Sequence, residues 1–319
     1  MHKPAFFKNE TTQQQFDRDG YVVVDFTSRD IVEQIADMFY AQHKEIPKGF
    51  YAAVSNPDDA QKQEMFHEMD ALLADAMEHT FVNYKKLGCT FLCKAPGSEG
   101  VVGVHQDWTT VDETQYSTAT IWIPTHDVDD NNGALKVLPG SHLFFNKYRN
   151  NFIPHSYRGS EQLIWDNMLT VPMQAGQAFV LNHAVLHASS PNTTKKERLV
   201  IAYGVTNANA PLRFYFRSKN ATDNKVEQFD MPDDFFLRYH NLGERPLFGK
   251  KVAEFDYPVE AVSSQQIAAM IKHEWQQRQN IAYYKKNWQL HLPPPPSALQ
   301  SFSKSSFLKK LKQALLPKK

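Results

Sequence analysis

The most constraining feature of this sequence is a series of short apolar or alternating segments that begins after Gly88. Clusters of glycine, proline, asparagine and aspartate separate these segments, a pattern typical of β-strands joined by turns. The predicted strands are 90–95, 118–123, 134–138, 178–187, 199–205 and 212–216. Because helical patterns come before the strands rather than between them, the order predicts an α+β or mainly β chain with an antiparallel sandwich or barrel.

Helical periodicity dominates the first part of the chain. Ser28 and Asp30 are alternative N-caps for one helix, since both side chains can accept a backbone N–H. Asn56 is predicted to cap the next helix, whose pattern continues to Lys85 and Lys86. Basic side chains favour the C-terminal end of a helix, so the two lysines are predicted to lie in its last turn.

The predicted organisation is one domain over residues 1–290 with a separate tail. Its parts are N-terminal helices over 11–87, a strand-rich core over about 88–217, a C-terminal elaboration over 218–290, and a Pro-rich break with a basic tail over 291–319. Residues 297–319 carry six lysines and no acidic residue. An apolar stripe in this tail predicts a weak contact with a membrane surface, carrier or partner, and a disordered solubilising tail is the alternative.

Charge and hydropathy argue against several classes of protein. The 35 basic and 35 acidic side chains balance, which removes the main electrostatic reason to expect a nucleic-acid partner. No stretch approaches the roughly 18–20 apolar residues that span a bilayer, and the N-terminal apolar run is too short for a signal peptide.

The two cysteines, Cys89 and Cys93, are not expected to form a disulfide. On one strand they would lie about 13 Å apart, and a disulfide spans at most about 7 Å between Cα atoms. We therefore expect a cytoplasmic protein.

A candidate metal site begins with the His-x-Asp pair His105 and Asp107. Residues at i and i+2 of an extended chain point to the same side, so both can reach one metal ion. A third ligand must come from elsewhere; His187, before a Pro-Asn turn, is the candidate, and His183 is the alternative. Two histidines and one carboxylate are typical of non-haem iron(II) enzymes, whereas structural zinc takes four protein ligands.

Arg198 follows His187 by eleven residues, across a turn and on the next predicted strand. Its planar, permanently charged guanidinium is suited to holding a carboxylate at two points. The spacing predicts that Arg198 returns into the same cavity, where it can hold one end of a dicarboxylate whose other end reaches the metal.

Together these residues resemble the phytanoyl-CoA dioxygenase family of Fe(II)- and 2-oxoglutarate-dependent oxygenases, over most of residues 16–203. Further matching segments are FDRDGYVVV at 16–24, NGALKVLPGSH at 132–142 and AGQAF at 175–179. The resemblance implies a double-stranded β-helix, the cupin-like jelly-roll, as the core, with flanking N-terminal helices.

The resemblance also implies roles for individual residues. The implied iron ligands and catalytic residues are His105, Asp107 and His187. Arg198 is implied to hold the distal carboxylate of 2-oxoglutarate, and Gln106, Trp122 and Ser189 to line the site of this cosubstrate. The implied cofactors are Fe(II), 2-oxoglutarate and O2.

The activity implied by the resemblance is hydroxylation with release of succinate and CO2, since Asp107 stands where halogenating relatives carry a small residue. The expected substrate is a small organic metabolite, a natural-product intermediate or an acyl or lipid-type molecule. Trp108, Thr109 and Tyr116 follow the His-x-Asp pair and are candidate substrate contacts. The alternatives are a cupin-type metal-dependent hydrolase or isomerase, or a non-catalytic jelly-roll binding protein.

Overall fold

The computed structural model describes residues 3–145, 148–238 and 243–293. Its α-helices are α1 Glu10–Asp19, α2 Arg29–Gln42, α3 Asp59–Thr80, α4 Glu161–Asp166, α5 Phe235–Arg238, α6 Ser264–Arg278 and α7 Ala282–Asn287. Its strands are β1 Tyr21–Asp25, β2 Phe50–Ala52, β3 Tyr84–Lys94, β4 Val102–His105, β5 Thr118–Pro124, β6 Leu135–Val137, β7 Leu169–Thr170, β8 Gln177–Asn182, β9 His187–Ser189, β10 Arg198–Asn207, β11 Leu212–Phe216, β12 Lys225–Met231 and β13 Lys250–Asp256. The predicted contact of the 297–319 tail falls outside the described residues.

Two antiparallel sheets face each other and enclose an apolar interior. One has six strands in the order β1-β8-β5-β10-β3-β2, and the other has four in the order β4-β9-β6-β7. Trp122, Phe179 and Val200 from the first sheet join Val137 and Ala188 from the second in one buried cluster. This arrangement confirms the predicted double-stranded β-helix.

Helices cover the outer face of the six-stranded sheet. Ser28 caps α2 by accepting the N–H of Ile31, so it is Ser28 rather than Asp30 that starts this helix. The buried faces of α2 and α3 pack with the outward side chains of the sheet, such as Ile121. Both faces of β5 are therefore buried, and both carry apolar side chains, such as Ile121 on one face and Trp122 on the other.

The structure corrects both ends of the third predicted helix. Asp58, not Asn56, is the N-cap of α3, and the helix ends at Thr80. Lys85 and Lys86 lie in β3, which pairs with β10 along its whole length. The long-range strand pairing outweighs the local preference of the two lysines for a helix end, because it extends the buried sheet.

The predicted strand 178–187 is also wrong as one element. β8 ends at Asn182, and a turn closed by the hydrogen bond from Val185 N–H to the Asn182 carbonyl follows. The chain then crosses to the other sheet, where His187 begins β9. As a result, His183 and His187 do not share one strand, and their side chains are placed by different elements.

Residues beyond the two main sheets contribute a third sheet and two helices. β11, β12 and β13 form a three-stranded antiparallel sheet. Side chains of α6 and α7, including Ile267, Met270 and Tyr284, join the apolar cluster that lies between the main sheets. The C-terminal helices thus pack against the same interior as the strands that precede them.

A buried polar network ties α6 and α7 to the start of the chain. Arg278 Nε donates to Asp19 Oδ1 at 2.8 Å and its Nη1 donates to Glu274 Oε2 at 2.6 Å. The Tyr284 hydroxyl donates to Asp19 Oδ2 at 2.7 Å. Because Asp19 and Arg278 are both almost fully buried, their pairing is protected from solvent screening.

Two further sequence expectations can be compared with the structure. Cys89 and Cys93 both lie in β3 and both are free thiols, as predicted. Among the helices in the described part of the chain, none combines the length and the apolar character that crossing a membrane requires.

Candidate metal centre

Strand pairing brings two histidines from distant parts of the sequence together. His105 ends β4 and His187 begins β9, and the antiparallel register sets them directly opposite each other. The centroids of their rings lie 4.1 Å apart. The four-stranded sheet therefore positions both imidazoles by backbone hydrogen bonding.

The same local contact orients each of the two rings. His105 Nδ1 lies 2.9 Å from the carbonyl oxygen of Gly103, and His187 Nδ1 lies 3.0 Å from that of Val185. A carbonyl can only accept, so each Nδ1 carries the proton in this arrangement. Each Nε2 then has a free lone pair, which is the form in which histidine binds a metal.

Asp107 completes a group of three potential ligands. Its Oδ1 lies 3.9 Å from His105 Nε2 and 3.7 Å from His187 Nε2. One ligand atom from each of the three side chains lies within 4.8 Å of the others, and no other such group occurs among the described residues. Two imidazoles and one carboxylate fit a divalent ion with open positions, the donor set associated with non-haem iron(II).

Electrostatics set Asp107 and His187 in the protonation states that a metal requires. Burial opposes ionisation of Asp107, but His187, His183, His105 and a hydrogen bond from Thr120 outweigh it and lower the pKa of the carboxyl to about 2. Burial lowers the pKa of His187 to about 4. At neutral pH the site therefore offers a carboxylate and a neutral imidazole without first releasing a proton.

His183, the alternative third ligand, lies behind the carboxylate. Its Nε2 is 3.1 Å from Thr120 Oγ1 and 4.0 Å from Asp107 Oδ2, on the side away from the other histidines. Its Nδ1 is 3.2 Å from the carbonyl oxygen of Trp108. The structure thus groups His187, and not His183, with His105 and Asp107.

Arg198 is the first residue of β10 and is 1% exposed. Its guanidinium lies over the indole ring of Trp122, 5.2 Å from the ring centroid. Among the described residues, Nε and Nη1 of Arg198 find no hydrogen-bond partner. Burial lowers the pKa of Arg198 to about 10, which shows how little its positive charge is compensated. A buried cation of this kind is costly unless an anion joins it.

Sequence reasoning missed Lys94, which lies directly opposite Arg198 in the register of β3 and β10. Lys94 is 0% exposed, and its Nζ donates to Ser189 Oγ at 2.6 Å and to the Ser190 carbonyl at 2.5 Å. Burial, with a smaller contribution from Arg198, lowers its pKa to about 6. The sequence held one indication that Lys94 points inward. It follows Leu92 by two residues on a predicted strand, so the two side chains lie on the same face.

The three residues expected to line the cosubstrate site have different surroundings. Trp122 stacks with Arg198, and Ser189 accepts a hydrogen bond from Lys94. Together Lys94, Arg198, Trp122 and Ser189 form a cationic pocket. Gln106 instead donates its side-chain amide to the backbone carbonyls of Phe145 and Ala184, at 2.9 and 2.5 Å.

The expected substrate contacts lie in the loop that follows Asp107. Trp108 and Tyr116 pack with the apolar cluster of the three-stranded sheet, and Trp108 meets Phe214 edge-on at 6.2 Å. Thr109 is buried, and its hydroxyl accepts the backbone N–H of Arg149 at 3.1 Å. The structure thus gives all three side chains a packing role in this loop.

Arg149 is a second residue that the sequence did not single out. Its Nε donates to the backbone carbonyl of Asp107 at 2.7 Å. Its Nη1 donates to Glu113 Oε2 at 2.8 Å, and both charged side chains are almost fully buried. Arg149 thus connects the start of the loop, at Asp107, with Glu113 further along it. These contacts hold in place the backbone that carries the Asp107 side chain.

Comparison with known proteins agrees with this geometry at the level of the family. The sequence profile described as Phytanoyl-CoA dioxygenase (PhyH) matches residues 16–200. A phytanoyl-CoA dioxygenase of Arabidopsis thaliana is 25% identical over 156 residues, which are 46% of this chain and 50% of that protein. A phytanoyl-CoA dioxygenase domain-containing protein 1 homolog of Dictyostelium discoideum is 29% identical over 119 residues, 35% of this chain and 42% of that protein. The chain thus spans half or less of the length of these relatives.

Two solved structures are similar in fold. The epimerase SnoN, crystallised with Fe3+, alpha ketoglutarate and nogalamycin RO, has a TM-score of 0.47 at 20% identity, covering 76% of this chain and 95% of that one. HygX from Streptomyces hygroscopicus, with nickel and 2-oxoglutarate bound, has a TM-score of 0.46 at 17% identity, covering 67% of this chain and 91% of that one. The assignment rests on the family profile, whose match extends over more than half of the sequence and includes all three candidate ligands and Arg198. The chain therefore belongs to the phytanoyl-CoA dioxygenase family.

Proposed function

We propose that this protein is an Fe(II)- and 2-oxoglutarate-dependent oxygenase that hydroxylates a small organic molecule. The observation that carries the proposal is the buried guanidinium of Arg198, whose Nε and Nη1 lack partners among the described residues. Arg198 lies over Trp122 and opposite Lys94, and Lys94 donates to Ser189, two residues after the proposed ligand His187. A site with an unpaired cation beside a metal group is suited to a dicarboxylate that bridges the two.

The strands connect the cationic pocket to the metal group over a short path. Ser189, which accepts from Lys94, follows His187 by two residues on β9, so both side chains leave the strand on the same side. Lys94 and Arg198 face each other across β3 and β10. A dicarboxylate held at one end by these two cations can therefore extend its other end toward the metal group.

The electrostatic fit favours a dianion over a monoanion. Arg198 is a buried cation, and the neighbouring Lys94 has its pKa lowered to about 6 by burial and by Arg198, so Lys94 is mostly neutral at pH 7 before a ligand binds. At pH 7, 2-oxoglutarate brings two negative charges, one to each end of the cavity. Binding would thus relieve the desolvation of Arg198 and draw Lys94 toward its charged form.

His105, Asp107 and His187 would hold the iron through two imidazole nitrogens and one carboxylate oxygen. When bound, iron and 2-oxoglutarate supply the activation of O2, with release of succinate and CO2. The protein's own residues orient the two partners and exclude water from the cavity. The presence of Asp107 favours hydroxylation, since a halide would need the position that its carboxylate occupies.

The proposed substrate is a small organic metabolite, a natural-product intermediate or an acyl or lipid-type molecule. The names of the matched relatives favour the acyl class. Trp108 and Tyr116 belong to the apolar cluster at the edge of the loop after Asp107 and are the proposed contacts for an apolar substrate.

The decisive experiment follows iron and 2-oxoglutarate directly. Anaerobic protein mixed with Fe(II) and 2-oxoglutarate should develop a weak visible metal-to-ligand charge-transfer band, and air should then release succinate. The His187→Ala variant should develop no band, since it lacks one ligand. Folded, iron-loaded protein that shows neither band nor succinate would contradict the proposal and favour a hydrolase, an isomerase or a binding protein.

A further inference from the structure

We propose that Thr120 is a positioning residue that restricts Asp107 to one metal-binding oxygen and so keeps a coordination position open. The inference deepens the proposed function and rests on it. It starts from the observation that the two carboxylate oxygens of Asp107 have different partners.

Oδ1 of Asp107 faces the two histidines of the metal group, at 3.9 Å from His105 Nε2 and 3.7 Å from His187 Nε2. Oδ2 instead accepts a hydrogen bond from the Thr120 hydroxyl at 3.2 Å. A carboxylate held by a hydroxyl at one oxygen is hindered from turning both oxygens toward a metal. The contact therefore selects Oδ1 as the ligand atom.

Thr120 is placed firmly enough to act in this way. It lies in β5, where its backbone is paired with Leu181 of β8 on one side and Gly204 of β10 on the other. Threonine is also restricted at χ1 by its branched Cβ. The position of the hydroxyl is therefore set by the centre of the six-stranded sheet and not by a mobile loop.

His183 is the second neighbour of the Thr120 hydroxyl, besides Asp107. Its Nε2 lies 3.1 Å from Thr120 Oγ1, and the His183 side chain is almost fully buried. The Thr120 hydroxyl has one proton and two neighbours; when it is donated to the charged Asp107 carboxylate, the stronger acceptor, Thr120 Oγ1 is left to accept a hydrogen bond from His183 Nε2. His183 thus contacts the same hydroxyl that donates to Oδ2.

The number of coordination positions explains why this selection matters. Two imidazoles and one carboxylate oxygen occupy three of six octahedral positions. A 2-oxo acid held at the same ion would need two more, and O2 would need the last. If Asp107 chelated through both oxygens, no position would remain once 2-oxoglutarate had bound.

The test counts water molecules on a metal probe and does not depend on turnover. Mn(II)-loaded protein without 2-oxoglutarate should carry three inner-sphere waters in the parent, and proton relaxation of bulk water measures them. Thr120→Val keeps the shape of the side chain and removes its hydroxyl, so Asp107 becomes free to chelate. We expect the inner-sphere relaxivity of this variant to fall by about one third, because one water of three is displaced.

Two variants serve as controls. Thr120→Ser restores a hydroxyl and should recover the relaxivity of the parent. Thr118→Val removes a buried hydroxyl from the same face of β5, where Thr118 Oγ1 contacts Thr110 and Thr206 rather than Asp107. It should leave the relaxivity unchanged. If Thr120→Val does not fold, Thr120→Ala is measured in the same way, since it also lacks the hydroxyl.

Two results would overturn the inference. One is parent-like relaxivity in Mn(II)-loaded Thr120→Val, and the other is loss of Mn(II) by that variant, since a chelating carboxylate should retain the ion. Because the measurement needs no cosubstrate, its failure is distinguishable from failure of the proposed function, which the charge-transfer band and succinate release report.

Discussion

The guanidinium of Arg198 lies over the indole ring of Trp122 at 5.2 Å from its centroid, and both side chains are buried. The attraction of a cation to an aromatic face offsets part of the cost of burying the charge. The contact with the ring provides no hydrogen-bond acceptor, and Nε and Nη1 of Arg198 have none among the described residues. This buried, unpaired guanidinium is the basis for the proposed binding of a carboxylate at Arg198.

Replacing this guanidinium should abolish tight binding of 2-oxoglutarate. Two hydrogen bonds to a charged partner contribute about 1.5–3 kcal/mol each, so Arg198→Met should weaken binding by about 100-fold or more. Affinity for Mn(II) should not change, because Arg198 is not a metal ligand. Isothermal titration of Mn(II)-loaded protein with 2-oxoglutarate measures the first effect, and titration of metal-free protein with Mn(II) measures the second.

Arg217→Met is the matched control for Arg198→Met. Arg217 donates to the backbone carbonyls of Phe152 and Asp223, at 3.0 and 2.7 Å. Its loss should leave 2-oxoglutarate affinity as in the parent. Equal affinities of parent and Arg198→Met would remove Arg198 from the cosubstrate site.

Lys94 should couple cosubstrate binding to proton uptake. Burial and the neighbouring Arg198 lower the pKa of Lys94 to about 6, so at pH 8 the free protein holds it neutral. A bound dianion favours the ammonium form and raises this pKa, so binding takes up a proton. Affinity should therefore be greatest below about pH 6 and fall by up to about tenfold per pH unit above it.

Titration calorimetry at pH 8 in buffers of different ionisation enthalpy measures this proton directly. The parent should take up close to one proton for each 2-oxoglutarate bound, and Lys94→Met should take up none. If the parent protein takes up no proton on binding, the protonation of Lys94 does not depend on the charge of the ligand.

Of the three histidines near Asp107, His187 and His183 should respond differently to substitution. His187→Ala removes a proposed ligand, so Mn(II) affinity should fall by more than the roughly 10–100-fold that loss of an outer partner costs. His183→Ala should stay within that range, because its Nε2 contacts Thr120 and not the metal group. Competition with a metal-sensitive dye measures both affinities, and the reverse order would make His183 the ligand.

The network at Asp19 should contribute strongly to stability. Arg278→Met removes the partner of a buried carboxylate, and breaking such pairs typically costs about 3–5 kcal/mol. Arg18 and Tyr284 remain as donors to Asp19, so we expect a value near about 3 kcal/mol in urea unfolding. This result would show that the C-terminal helices stabilise the strands that they cover.

Arg245→Met provides the comparison for Arg278→Met. Arg245 pairs with Glu227 at an exposed site, where solvent screens the attraction, so its loss should leave the unfolding midpoint nearly unchanged. Similar destabilisation by both substitutions would show that burial does not set the strength of the Asp19 network.

Local patterns in the sequence were enough to predict much of the fold. The short apolar segments after Gly88 predicted β3, β5, β6, β8 and β10 of the double-stranded β-helix, because period and turn residues are local properties. His105, Asp107 and His187 were also recognised before the structure, and the structure brings their ligand atoms within 4.8 Å of one another. The family followed from the same residues and is confirmed by the profile over residues 16–200.

The tertiary structure decided the surroundings of those residues. A lysine is usually exposed, so nothing local distinguished Lys94 until the β3–β10 register set it opposite Arg198 in the interior. Thr120 met Asp107 only because β5 lies at the centre of the six-stranded sheet. The sequence by itself determined which groups can bind a metal and an anion, since that depends on residue type. Their partners come from strands far apart in the chain, so only long-range strand pairing could determine them.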